Sequence, residues 1–219
     1  MDKQTVLNRL KAVGVVPVVR AESAEHVIGA VEALIEGGIP VAEITMTVPG
    51  AIGVIERCAA RFGDRLTVGV GSVTSAAMGR DAIAAGSVFV VTPTAKPEVI
   101  DVCNRSRRLV IAGALTPTEI LSVWEAGADA VKVFPAKAMG GPAYIRMIRE
   151  PLPHIPLAPT GGVNLATIAD YFAAGVVFVG AGGDLVDKNA VNSGDRRTIA
   201  ARAGQYAAAI RAARSRGLD

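Results

Sequence analysis

Histidine and cysteine are scarce in this chain of 219 residues, which carries two of each. His26 lies in the helix-like "SAEHVIGAVEALIEGG" and His154 in the proline-flanked "PLPHIP". They form no cluster of the kind that ligates a catalytic metal, and nothing supports a Ser-His-Asp arrangement around either. Cys58 and Cys103 fall in helix-like segments, outside any CxxC and at no zinc-binding spacing, so they read as buried free thiols in a reducing compartment. The residues call for no metal and no cofactor. No apolar run approaches the roughly 20 residues of a membrane span. The opening "MDKQTVLNRLKAVG" reads as a short amphipathic helix rather than a signal peptide. The expectation is a cytoplasmic protein with no membrane partner.

Aromatic residues make up only 4% of the chain, and none of the known nucleic-acid motifs occurs. This matters for the net charge of +3, which is unevenly spread. From Asp187 onward there are seven Lys/Arg against three Asp/Glu, a balance of +4, which leaves −1 for the rest. The basic tail "DRRTIAARAGQYAAAIRAARSRGLD" has Ile and Ala at helical spacing and no interleaved aromatics. It reads as an amphipathic helix, solvated or packed on another subunit, and not as a nucleic-acid surface.

What the chain has in quantity is apolar residues, 51% of the total, with a mean hydropathy of +0.40. A large core is available and disorder is not expected. Short β-rich runs alternate with helical patterns: "VVPVV" (15–19), "VAEITM" (41–46), "LTVGVG" (66–71), "VFVV" (88–91), "LVIAG" (109–113), "AVKVF" (130–134), "LAPT" (157–160) and "VVFVG" (176–180). Several intervening helices close on glycine, as in "EGG", "EAG" and "AAG". Trp124 falls inside one of them and reads as packing. Eight β–α repeats predict a (β/α)₈ barrel, with an N-terminal helix and an extra C-terminal helix. A doubly wound open sheet is the structural alternative; no early dinucleotide-binding glycine fingerprint supports it. With no linker or low-complexity segment, residues 1–219 form one domain, of which about 188–219 is a basic helical extension.

Against this apolar background one residue stands out. Lys132 interrupts the run "AVKVF", and lysine is rarely buried. Strand side chains alternate, so Ala130, Lys132 and Phe134 share one face and Val131 and Val133 the other. The valines suit the helix-facing layer, which turns Lys132 into the barrel. The same parity turns Glu43 inward from "VAEITM" and places Arg20 inside, at the C-terminal mouth where such barrels gather their catalytic groups. A buried lysine beside a buried glutamate can be a mere ion pair, of little net stability. It can also be chemistry. Burial disfavours the charged form of an amine, and the neutral amine attacks a carbonyl to form a Schiff base. A carboxylate in the same cavity can move the protons. Of the six lysines, the other five fall in helical, loop or terminal contexts.

A second feature is glycine. "APTGGVNLATIADYF" leaves a strand at Thr160, passes Gly161 and Gly162 and enters a helix near Asn164. "VVFVGAGGDLV" repeats the arrangement with Gly182 and Gly183. Such turns let backbone N–H groups approach an anion, and the loops after strands seven and eight of a barrel often bind phosphate. They can also be tight turns and nothing more.

With these residues in place, the chain resembles the 2-dehydro-3-deoxy-6-phosphogluconate/4-hydroxy-2-oxoglutarate aldolases over roughly residues 5–190. The motifs are "VVPVVRAES", "GGIPVAEITMTVPGA", "VGVGSVTS", "VVTPTAKPEVI", "IAGALTPTEI", "VKVFPAKAMGG", "APTGGVNL" and "VGAGGDLV", in the same order. The resemblance implies a class I, Schiff-base, pyruvate-dependent aldolase on a (β/α)₈ barrel, with no cofactor and a homotrimeric assembly. It makes Lys132 the imine lysine and Glu43 the general acid/base. Arg20, Ser72 and Pro93 match positions at the pyruvate end, and Phe134 the apolar wall beside the imine. Thr160, Gly161 and Gly162 match phosphate-binding positions, joined by Gly182 and Gly183. The implied substrate is a 2-keto-3-deoxy-6-phospho sugar acid, gluconate- or galactonate-derived, cleaved to pyruvate and glyceraldehyde 3-phosphate, with 4-hydroxy-2-oxoglutarate as a second candidate.

The chain departs from the pattern at the phosphate end. Thr47 stands where some members have an arginine, and Asp184 follows Gly183 where some have a serine nearby. Ser72 replaces a common threonine and keeps the hydroxyl. An aldolase for unphosphorylated acids is the alternative these departures leave open. Two further rivals are a sugar-phosphate isomerase or synthase, which would need the glycine loops but no imine lysine, and a non-catalytic ligand-binding barrel.

Overall fold

The computed structural model describes residues 1–215. Helix α1 (Lys3–Val13) precedes the first strand. The strands are β1 (Val15–Val19), β2 (Val41–Thr45), β3 (Thr67–Gly71), β4 (Phe89–Val91), β5 (Leu109–Ala114), β6 (Ala130–Val133), β7 (Leu157–Pro159) and β8 (Val179–Ala181). Between them run α2 (Ala24–Glu36), α3 (Ala51–Phe62), α4 (Ala76–Ala84), α5 (Pro97–Arg105), α6 (Pro117–Glu125), α7 (Pro142–Arg149) and α8 (Ile168–Ala173). Helices α9 (Lys188–Ser193) and α10 (Arg196–Ser215) follow β8. The last four residues of the predicted basic extension, 216–219, lie outside the described residues.

All strand pairings are parallel, in the order β7-β6-β5-β4-β3-β2-β1-β8. Strands β7 and β8 meet through one parallel bridge, Thr160 to Gly180, and a bond from the Val177 N–H to the Leu157 carbonyl at 3.2 Å. The expected (β/α)₈ barrel is therefore the observed fold.

Local chemistry explains the element ends. Asp2 caps α1 by accepting the Thr5 N–H at 2.8 Å, and Thr116 and Glu119 form a reciprocal capping box at α6. Pro97, Pro117 and Pro142 each open a helix, where a missing N–H costs nothing. The glycines that close helical runs, Gly38, Gly127 and Gly175, adopt φ of 84°, 94° and 81°, a region open to glycine.

Most strand ends shift by one residue at most from the sequence reading, and two element starts shift by more. Strand β8 starts at Val179, not Val176, because its partner β1 starts at Val15 and the Val179 N–H bonds to the Gly14 carbonyl at 3.0 Å. Helix α8 starts at Ile168, not near Asn164. The Asn164 side chain instead accepts the N–H groups of Ala166 and Thr167 at 3.0 and 3.1 Å, a local turn that competes with helix.

The basic tail packs on the chain's own barrel. Its buried residues Ile199, Ala203, Tyr206 and Ile210 form one helical stripe against α2 and α8. Gly37, at the end of α2, allows this approach: a side chain there would run into Ala203 and the Ala200 carbonyl. Arg196 pairs with Glu32 at 2.9 Å, and Arg214 donates to the Ala12 carbonyl at 2.7 Å, at the electronegative end of α1. Lys188 pairs with Glu22 at 3.2 Å. Much of the tail's charge is thus matched within the molecule.

Cys58 and Cys103 are buried free thiols. Trp124 meets His154 edge-on, with ring centroids 6.2 Å apart.

Candidate active site

Parity places the groups as the sequence predicts. Val131 and Val133 turn outward, and Lys132, on the inner face of β6, is only 7% exposed. Its register partners are Gly113 and Ala158, and the room over Gly113 is taken by the Pro93–Thr94 backbone. From β2, Glu43 reaches the same interior and is 3% exposed. Lys132 Nζ stands 3.8 Å from Glu43 Oε1, an ionic contact but too long for a hydrogen bond. Glu43 Oε1 has no hydrogen-bond partner. A buried acceptor left open in this way is costly. Sequence Asp129, three residues before Lys132, is no partner for it: that carboxylate binds Lys3 at 2.8 Å and the Val110 N–H at 2.8 Å.

Strand β3 supplies space rather than side chains. Of its three inward positions, Thr67 lies at the start of the strand and Gly69 and Gly71 follow. The Phe89 ring fills the room over Gly69, and the Glu43 carboxylate fills the room over Gly71. The sequence reading missed Gly71. The only signal available was the alternation in "VGVG", which does not say what occupies the gap.

Above Lys132 the barrel opens into a cavity of about 330 Å³. It gathers Arg20, Ser72, Pro93, Lys132, Phe134 and Thr160 with Gly161, Gly162, Gly182 and Gly183, every predicted site residue except Glu43. Glu43 lies beneath, lining the interior void shared with Lys132, Val16 and Ile111. Arg20 follows β1 directly and is exposed at the rim. Ser72 follows β3 with φ of 58°, uncommon for a residue with a side chain. Near Pro93, Thr92 is fixed by donating to the Thr94 carbonyl at 2.7 Å and accepting the Gly113 N–H at 2.9 Å. The Phe134 ring lies 5.4 Å from Lys132 Nζ, measured to its centroid, and is 38% exposed.

The glycine loops form the far rim. Gly161 and Gly162 have φ of 91° and 84°. A side chain at 161 would press on Phe134, and one at 162 would collide with the aliphatic stem of Lys137. Lys137, one of the five lysines the sequence places in helical, loop or terminal contexts, thus lies against the predicted anion loop. Around Gly182 and Gly183 there is open space, and Gly182 accepts the N–H groups of Leu185 and Val186 at 2.9 and 2.8 Å. The expected helix N-termini are not at these loops: α8 and α9 each have six residues and begin several positions later. An anion at these loops would meet backbone N–H groups and nearby side chains rather than a helix N-terminus. Asp184 and Asn164 also line the cavity. Thr47 is exposed beyond β2 and shares a 2.7 Å hydrogen bond with Thr45.

An amine facing a carboxylate at the floor of an open, partly apolar cavity can add to a carbonyl and exchange protons during that addition. Among the described residues no group of His, Cys, Asp and Glu is placed to hold a metal, and no helix is long and apolar enough to cross a membrane.

The family model for KDPG and KHG aldolase matches residues 6–202. A 2-dehydro-3-deoxy-phosphogluconate aldolase from Treponema pallidum is 33% identical over 197 residues, covering 90% of this chain and 93% of that protein. The KHG/KDPG aldolase of Escherichia coli K12 is 29% identical, covering 83% of this chain and 84% of the relative. Among solved structures, a Legionella pneumophila KDPG aldolase with pyruvate captured as a covalent carbinolamine superposes with a TM-score of 0.85 at 28% identity, covering 91% and 96% of the two chains.

Proposed function

The chain belongs to the KDPG and KHG aldolase family, and from that premise we propose that it is a class I aldolase using Lys132 as its Schiff-base nucleophile. It cleaves 2-dehydro-3-deoxy-6-phosphogluconate or the galactonate epimer to pyruvate and glyceraldehyde 3-phosphate, and 4-hydroxy-2-oxoglutarate to pyruvate and glyoxylate. One observation carries the reading: the Lys132 amine lies 3.8 Å from a buried carboxylate at the base of the one cavity that holds the predicted substrate residues.

Lys132 Nζ adds to the C2 ketone. Glu43 transfers protons through a water as the carbinolamine loses hydroxide and becomes the imine. The protonated imine accepts the electron pair of the C3–C4 bond when the C4 hydroxyl gives up its proton, and the aldehyde departs. The enamine takes a proton at C3, and hydrolysis returns pyruvate and the free amine. Splitting the cleavage through a covalent adduct replaces one hard step with easier ones. Arg20 and Ser72 hold the keto-acid carboxylate beside Pro93, Phe134 shields the imine, and Thr160 with the two glycine loops takes the phosphate.

The protein works in the cytoplasm as a homotrimer. Exposed Met139 and Met147, at 43% and 67%, offer apolar surface on neighbouring segments for subunit contact. Borohydride reduction in the presence of pyruvate tests the central claim. A stable three-carbon adduct on Lys132 is the expected result; an adduct on another lysine, or none, removes the assignment.

A further inference from the structure

A carboxylate belongs poorly at the rim of a phosphate pocket, yet Asp184 directly follows Gly183 and lines the cavity. Its side chain is turned away, and the turn is built by α10. Arg202 Nη2 donates to Asp184 Oδ1 at 2.7 Å, and Arg202 Nε donates to the Asp184 carbonyl at 2.9 Å. The Tyr206 hydroxyl donates to Oδ2 at 2.6 Å. Residues 202 and 206 are one turn apart on the same helix face, so both reach the loop together. Three acceptors of Asp184 are thereby occupied from outside. What remains toward the cavity is Gly182 and Gly183, with nothing crowding them. Tyr206 is fully buried. Burial, and then the Asp184 carboxylate, push its ionisation far up, so it stays a donor across the working pH range.

We propose that Arg202 and Tyr206 are positioning residues for phosphate recognition: they hold the Asp184 carboxylate out of the anion site and fix the Gly182–Gly183 loop. Selectivity for a phosphorylated substrate then depends on the C-terminal helix, a segment remote from the catalytic lysine. The inference rests on the aldolase reading.

Arg202 acts here through two effects that a double substitution separates. Arg202→Met frees a negative charge at the pocket rim. Arg202→Met with Asp184→Asn removes the bond but also the charge. The measurement is kcat and KM for the phosphorylated substrate and for its unphosphorylated form, at two salt concentrations. Arg202→Met should raise KM for the phosphorylated substrate by about tenfold, equivalent to about 1.4 kcal/mol, with kcat and the unphosphorylated reaction within about twofold of wild type. Higher salt should shrink the loss, because exposed charges are screened. Adding Asp184→Asn should recover most of it. Tyr206→Phe, which keeps the ring in the core, should give a smaller KM increase of the same selectivity and serves if Arg202→Met folds poorly. Equal losses on both substrates, or no recovery in the double variant, would show that α10 only braces the barrel. Pyruvate trapping in the wild type separates the two failures. If trapping succeeds and the KM split is absent, this inference falls alone; if no adduct forms, the aldolase reading falls and takes it along.

Discussion

The carboxylate of Glu43 occupies the space that a side chain at position 71 would need. Gly71 is therefore part of how the site is built: β3 withdraws so that an acid from β2 can reach the amine of β6. Gly71→Ala should leave the barrel folded and displace Glu43. A misplacement of about 1 Å can cost roughly 10²-fold in rate, so kcat should fall by about that factor while pyruvate trapping persists. Unchanged turnover would mean that Glu43 need not stand where it does.

Lys132→Ala should abolish both trapping and cleavage. It also strips Glu43 of the ammonium 3.8 Å away. Breaking a buried pair costs about 3–5 kcal/mol in a closed core; the open cavity above should keep the loss below that, visible as a lower Tm. Glu43→Gln should still form the adduct but lose about 10²–10⁴-fold in turnover. A loss under about tenfold would reduce Glu43 to a structural neighbour of Lys132.

At the phosphate end, Thr47→Arg adds a cation at an exposed position and should lower KM for the phosphorylated substrate only. Gly162→Asp should raise it. That variant also meets the Lys137 stem and a backbone φ of 84°, so a reduced Tm should accompany the kinetic change. Equal kcat/KM for phosphorylated and unphosphorylated substrates in the wild type, unmoved by Gly162→Asp, would make these glycines turn residues alone.

The cysteines give a pH prediction. Burial pushes the Cys58 thiol up to about 11 and the Cys103 thiol up to about 12, against 9.0 for a free thiol. The folded state holds these protons more tightly than the unfolded one. Their contribution to stability is complete below pH 9 and declines as pH rises through 11 and 12. Tm should fall over that window, and less so in Cys58→Ser/Cys103→Ala if the replacements pack well. Native protein should resist alkylation at pH 8 and react once unfolded.

Alternation alone put Lys132 and Glu43 on the barrel's inner face, since apolar neighbours on either side, Val131 and Val133 for the lysine and Ala42 and Ile44 for the glutamate, fix the direction of the polar residue between them. The glycine loops were equally legible, because their position after the seventh and eighth strands follows from counting. Other features depend on partners distant in sequence. Where β8 begins is set by Gly14 and Val15 of β1, and no local pattern reports that. The turn at Asn164 wins over helix through its own side chain, a competition that propensity leaves undecided. Asp184 reads as a misfit until Arg202 and Tyr206 are seen to hold it, 18 and 22 residues later. The tail read as a solvated or subunit-packing helix because periodicity identifies a buried face but not what buries it.

Seven joints of the ring are strand ladders; the eighth, between β7 and β8, is little more than the Thr160–Gly180 bridge. A hoop opens where its staves are least joined, and this joint lies under the two loops that are to grip the phosphate. Helix α8 connects those two strands, and α10 backs it, bearing on α8 to one side and α2 to the other. The final helix is thus a brace behind the connection between the two loosely joined staves. Cutting the chain before residue 196 would not trim an appendage. It would slacken the barrel on its substrate side, where amide protons of β7 and β8 should then exchange with solvent before those of the opposite wall.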